Sequence, residues 1–175
     1  MKTIKSFLIL LFSLLFTSAT IKEADGWKIP SADVKTLDGK NFNTSKISND
    51  GKPIIICVWE TTCKPCINEL DAIAEQYDSL KKETGVKLVA VSIDDSKTSS
   101  KVSALVNSKA WSYEIYLDKN RDFKRALNIN YCPYTFLVDG NGEIVWEKSS
   151  YSSGDENKIY ELVKKLAKGE KVDGQ

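Results

Sequence analysis

The sequence predicts an α/β fold whose sheet is parallel in its first half and antiparallel at its end. Three observations predict it. Residues 54–59, Ile-Ile-Ile-Cys-Val-Trp, form an unbroken apolar run, which suits a strand buried on both faces. A helical apolar period and a second strand expected to be buried, residues 86–93, follow, and together they make a strand–helix–strand unit with parallel strands and a right-handed crossover. Later, Asp139-Gly140-Asn141-Gly142 stands between two short strand-like segments, which is a hairpin signal.

In chain order, residues 1–19 read as a secretory signal. Lys2 and Lys5 give a positive start, residues 7–16 are apolar except for Ser13, and Thr17-Ser18-Ala19 supplies small residues for cleavage. The alternative is an uncleaved N-terminal anchor. No Cys precedes Cys57, so a lipid-modified N-terminus is not expected. Residues 20–175 show no repeat, low-complexity tract or linker and are expected to form one domain.

Residues 33–37 and 41–44 flank Asp38-Gly39-Lys40 and predict a hairpin. After the first buried strand, Ile67, Leu70, Ala74, Tyr77 and Leu80 recur at helical spacing, so residues 63–82 predict an amphipathic helix. Pro65 falls in its first turn, where a missing N–H costs nothing, and Gly85 closes it. Beyond the second strand the expected elements are a helix over 98–109, a strand over 114–117 and a short helix over 121–127. Strands over 135–138 and 143–146 and a final helix over 155–168 complete the pattern, and 169–175 are expected to fray.

Counts exclude several functions. The chain has 175 residues, 4 Cys and no His, so mechanisms that need an imidazole are ruled out. Four Cys are too few for a disulfide scaffold of this length. Residues 1–19 carry 2 of the 25 basic residues and no acid, so the remainder has 23 basic and 24 acidic residues, a net of −1. No basic stripe survives, and nucleic-acid binding is not expected.

Cys63-Lys64-Pro65-Cys66 carries the chemistry. Two Cys at this spacing straddle the first turn of a helix and can close a disulfide or open to a dithiol. At a helix N-terminus the unpaired N–H groups favour a thiolate, lowering a thiol pKa from about 8.5 to roughly 3.5–7.5. Cys63 then attacks a partner disulfide and Cys66 resolves the mixed disulfide. Against this stand a structural disulfide and half of a zinc site, whose other ligands would have to be Cys or carboxylate.

Trp59-Glu60-Thr61-Thr62-Cys63-Lys64-Pro65-Cys66 after a buried strand resembles the active site of the thioredoxin fold. The signal, the leader hairpin with Leu37-Asp38-Gly39-Lys40 and Pro133-Tyr134-Thr135-Phe136-Leu137-Val138-Asp139 resemble its TlpA/ResA-like branch, over about residues 29–166. The resemblance implies a three-layer α/β/α thioredoxin fold with a mixed central sheet and an N-terminal β-hairpin extension. It implies an exported, periplasmic enzyme that reduces or exchanges disulfides in client proteins, many members serving cytochrome c maturation. It assigns Cys63 as nucleophile, Cys66 as resolving thiol and Pro133 as the cis-proline beside them. Trp59, Thr62, Lys64, Pro65 and Cys132 would shape the client surface. Glu69, one helical turn after Cys66, would tune the thiols or take a proton, unless it is a solvated helix carboxylate. The expected cofactor is none beyond the redox disulfide itself, and no metal is expected. The expected partners are disulfide-bearing clients and an electron-donating thiol protein, membrane-bound in one version, with the chain itself a monomer.

Two cysteines depart from that pattern. Cys132 directly precedes Pro133, and Cys57 lies six residues before Cys63; carried onto the fold that the resemblance implies, these positions set all four thiols around one site. Cys57 reads best as an inert buried thiol. Cys132 reads as a candidate for an alternative disulfide with Cys63, and the four thiols together as a candidate soft-metal or iron–sulfur set. Thr62 stands where many members carry Trp, which makes the groove more polar. Lys64 would favour a thiolate at Cys63. Two other functions are kept as alternatives. A peroxiredoxin-like thiol peroxidase would need a Pro in the turn before Cys63, and none is there. A non-catalytic metal- or partner-binding module, such as a copper chaperone, would lack the usual His.

Overall fold

A computed structural model describes residues 27–172, so the leader lies outside the described residues. Seven strands and four α-helices follow one another as β1 (Asp33–Thr36), β2 (Asn41–Asn43), β3 (Ile54–Trp59), α1 (Lys64–Thr84), β4 (Lys87–Ser92), α2 (Ser100–Lys109), β5 (Glu114–Leu117), α3 (Asp122–Ala126), β6 (Tyr134–Val138), β7 (Ile144–Ser149) and α4 (Asp155–Ala167). The strands form one sheet in the order β2-β1-β5-β4-β3-β6-β7.

β3 is central because its sequence has no polar face to offer water. All six of its residues are buried. Successive side chains alternate across the sheet. Ile55, Cys57 and Trp59 join the apolar cluster under α1, α2 and α4, whereas Ile54, Ile56 and Val58 join the cluster under α3 and the N-terminal segment. β3 pairs in parallel with β4 and antiparallel with β6, and β4 pairs in parallel with β5. The predicted parallel half and antiparallel end are both present.

α1 forms because Leu70, Ile73, Tyr77 and Leu80 repeat on one face and are all buried. The Tyr77 hydroxyl accepts the Leu88 N–H at 3.1 Å, which ties the helix to β4. Gly85 ends it in the left-handed region at φ 71°, where its N–H donates to the Lys81 carbonyl at 2.8 Å. The Tyr160 hydroxyl of α4 donates to the Ala72 carbonyl at 2.8 Å and pins the two helices together.

The predicted leader hairpin is present, β1 pairing antiparallel with β2, and it forms an edge of the main sheet: β1 pairs antiparallel with β5, and Phe42 stacks on Tyr116 at 4.4 Å between ring centres. One expectation changes: residues 169–172 do not simply fray, since the Glu170 N–H donates to the Lys165 carbonyl at 3.0 Å and Val172 packs on the α1 side of the core, while the rest of the expected frayed end, 173–175, lies outside the described residues.

Leu70 is fully buried between α1 and the sheet. Leu70→Ala is expected to cost about 2–5 kcal/mol of unfolding free energy. Urea denaturation followed by circular dichroism measures it, and a loss below about 1 kcal/mol contradicts this packing.

Candidate active site

The site begins where β3 runs out. Beyond Trp59 the chain turns through Glu60, Thr61 and Thr62, and the Cys63 N–H donates to the Glu60 carbonyl at 3.1 Å. Asp94, buried just beyond β4, fastens this turn. Its carboxylate accepts the Thr61 N–H at 2.8 Å, the Thr61 hydroxyl at 2.6 Å and the Ser92 hydroxyl at 2.8 Å. Sequence reasoning missed Asp94. Its only signal was an acid directly following a buried parallel strand.

Cys63 is the N-cap of α1, and its sulfur accepts the Cys66 N–H at 3.2 Å. Cys63 and Cys66 are joined in a disulfide with Cα atoms 5.3 Å apart. Cys66 is fully buried and Cys63 half-buried, so Cys63 is the sulfur a partner can reach. Thr62, Lys64 and Pro65 lie exposed around it. Trp59 does not reach that surface: it is fully buried and meets Trp111 edge-on at 5.4 Å, so it supports the site only from beneath.

The Cys132–Pro133 bond is cis. The Cys132 sulfur lies within 4.8 Å of both disulfide sulfurs. Burial, and then the Glu60 carboxylate, push the Cys132 thiol up to about 11, so it stays protonated near neutral pH. Tyr131, next to it, is 61% exposed and presents an aromatic face at the rim.

Cys57 does not join this group, which corrects the expectation of four thiols around one site. It points from β3 toward α1, directly opposite Thr135 in the β3–β6 register. The Thr135 hydroxyl donates to a Glu69 carboxylate oxygen at 2.8 Å and lies 3.6 Å from the Cys57 sulfur. Glu69 is 2% exposed, so it is not a solvated helix carboxylate. Burial raises its carboxyl to about 7, against the opposing pull of the Thr135 hydrogen bond and Lys148. Burial also holds the Cys57 thiol well above its ordinary value.

Residues 26–147 match the AhpC/TSA family model. The chain belongs to that family. It is 43% identical to an uncharacterized thioredoxin-like protein from Porphyromonas gingivalis, with a TM-score of 0.73 over 82% of this chain and 95% of that one. It is 28% identical to the thiol-disulfide oxidoreductase ResA of Bacillus subtilis over 147 residues, 84% of this chain and 78% of ResA. It also resembles StoA of Bacillus subtilis, 25% identical with a TM-score of 0.60, over 76% of this chain and 97% of StoA. This family member is a thiol-disulfide oxidoreductase of the thioredoxin superfamily.

The buried Glu69 gives stability a pH signature. Between its unfolded value of 4.5 and its folded value of about 7, the folded chain keeps a proton that the unfolded chain loses. The contribution is therefore full below the unfolded value and is lost as pH rises through the folded one. Glu69→Gln is expected to remove about 2–3 kcal/mol of the fall in unfolding free energy between about pH 5 and 8. Urea titrations of both proteins at the two pH values measure it. An unchanged pH dependence contradicts the buried, proton-holding carboxyl.

Proposed function

We propose that this chain is an exported reductant and exchanger of disulfides in client proteins, with Cys63 as nucleophile and Cys66 as resolving thiol. One observation carries the reading. A reachable sulfur and a fully buried one are bonded at the start of α1, beside the cis Cys132–Pro133 bond. That asymmetry assigns the order of events. Only Cys63 can meet a bulky client, and Cys66 is held next to it for the second step.

In the reduced enzyme the Cys63 thiolate attacks one sulfur of a client disulfide. A Cys63–client bond forms, and the other client sulfur leaves as a thiolate. Cys66 loses its proton and attacks the Cys63 sulfur, so the Cys63–Cys66 bond closes and the client departs as a dithiol. Glu69 stands one turn along α1 from Cys66, where residues three apart are neighbours. A carboxyl that titrates near neutrality suits it to take the Cys66 proton. The exposed Thr62, Lys64, Pro65 and Tyr131 and the half-buried Cys132 make the surface across which the client chain lies.

Re-reduction requires an electron-donating thiol partner, and a membrane-held one fits an exported enzyme. The export reading is supported by the signal pattern of residues 1–19. Among the described residues no helix is long and apolar enough to cross a membrane. Cytochrome c maturation is the setting that the ResA-like resemblance supports, with clients whose disulfides must be opened before use.

Insulin reduction with dithiothreitol as electron source tests the reading. Cys63→Ser is expected to lose turnover. Cys66→Ser is expected to accumulate a Cys63–client mixed disulfide, visible as a mass adduct that dithiothreitol removes. Turnover retained by Cys63→Ser, or an adduct carried by another Cys, overturns the assignment.

A further inference from the structure

We propose that the reduced chain binds one Cu(I) ion between Cys63, Cys66 and Cys132. The proposal rests on the dithiol reading above, because the pair must open before its sulfurs are free to bind.

The three sulfurs lie within 4.8 Å of one another, although Cys132 comes from a loop far along the chain from α1. Metal–sulfur bonds of about 2.3 Å place three sulfurs around one ion about 4 Å apart. The fold thus assembles the triangle close to the size required, and opening the disulfide lets Cys63 and Cys66 separate toward it. Cys66 is buried and the other two are half-buried, so the ion would sit at the rim with one side shielded by the core.

The donor set selects the metal. Thiolates are soft ligands and favour Cu(I), zinc and iron–sulfur centres over hard cations. Structural zinc closes its shell with four ligands. Among the described residues no fourth Cys and no carboxylate joins the three sulfurs, and the chain has no His. Cys57, the remaining cysteine, lies deeper in the core against Thr135. Three sulfurs without a fourth ligand match three-coordinate Cu(I). The usual objection, a missing His, does not apply to an all-sulfur site.

Uptake moves no electrons. Each sulfur that still carries a proton gives it to the buffer as it bonds the ion, and copper stays Cu(I) throughout. The bound ion occupies the Cys63 sulfur that clients need, so loading withholds the dithiol from exchange.

Reduced protein, titrated with Cu(I) without oxygen against bathocuproine disulfonate, tests the site. The expected result is one tightly held equivalent, with three sulfur neighbours by X-ray absorption. Cys132→Ser is expected to leave two sulfur neighbours and weaken binding by about tenfold or more. Cys57→Ala is expected to keep both the stoichiometry and the sulfur count. No uptake, two sulfur neighbours in the wild type, or wild-type affinity in Cys132→Ser overturns the proposal. The wild-type sulfur count decides even if a variant fails to fold. Insulin reduction by metal-free protein reads the exchange reaction separately, so either reading can fail alone.

Discussion

The Cys66 N–H donates to the Cys63 sulfur at 3.2 Å, and that contact marks where α1 begins. Because the cap is a sulfur rather than a hydroxyl, the first turn of the helix directs its unpaired N–H groups toward a redox atom. Everything else at the site serves that placement. β3 is buried on both faces and cannot shift, Asp94 grips Thr61 in the connecting turn, and Pro65 fits a first turn that needs no N–H from it. The reachability of Cys63 and the burial of Cys66 follow from the same geometry, since the N-cap faces outward and the third residue of α1 faces the sheet.

Below the disulfide the core on this side of β3 holds a buried polar group. Glu69, Thr135 and Cys57 meet there, each buried and linked through the Thr135 hydroxyl. A carboxyl kept in the interior costs stability once it ionises, and packing alone gives no reason for it. Placed one turn from the resolving cysteine, it suits a proton transfer that a chain without His must assign to some other group.

Local features were legible in the sequence and long-range register was not. The β3 run and the Cys-x-x-Cys helix start are written in neighbouring residues, and their boundaries are found within two residues of where periodicity puts them. The Glu69 contact needs Thr135 opposite Cys57, a pairing across 78 residues that no local pattern encodes. Asp94 holding Thr61 and the Cys132 sulfur meeting the disulfide likewise depend on how β4 and the β6 approach fall beside β3. Trp59 was expected at the client surface because of its place in the motif. Strand alternation turns it instead into the α1 side of the core with Ile55 and Cys57.

The central claim is that helix-start geometry makes Cys63 the reactive thiolate and hides Cys66. Alkylation of the reduced protein by iodoacetamide across a pH series, with each site located by mass spectrometry, tests it most directly. The account predicts that Cys63 labels first, with an apparent pKa below about 8.5, while Cys66 and Cys57 stay unlabelled in the folded chain. Labelling of Cys66 as fast as Cys63, or a Cys63 pKa at or above that of an ordinary thiol, would contradict it.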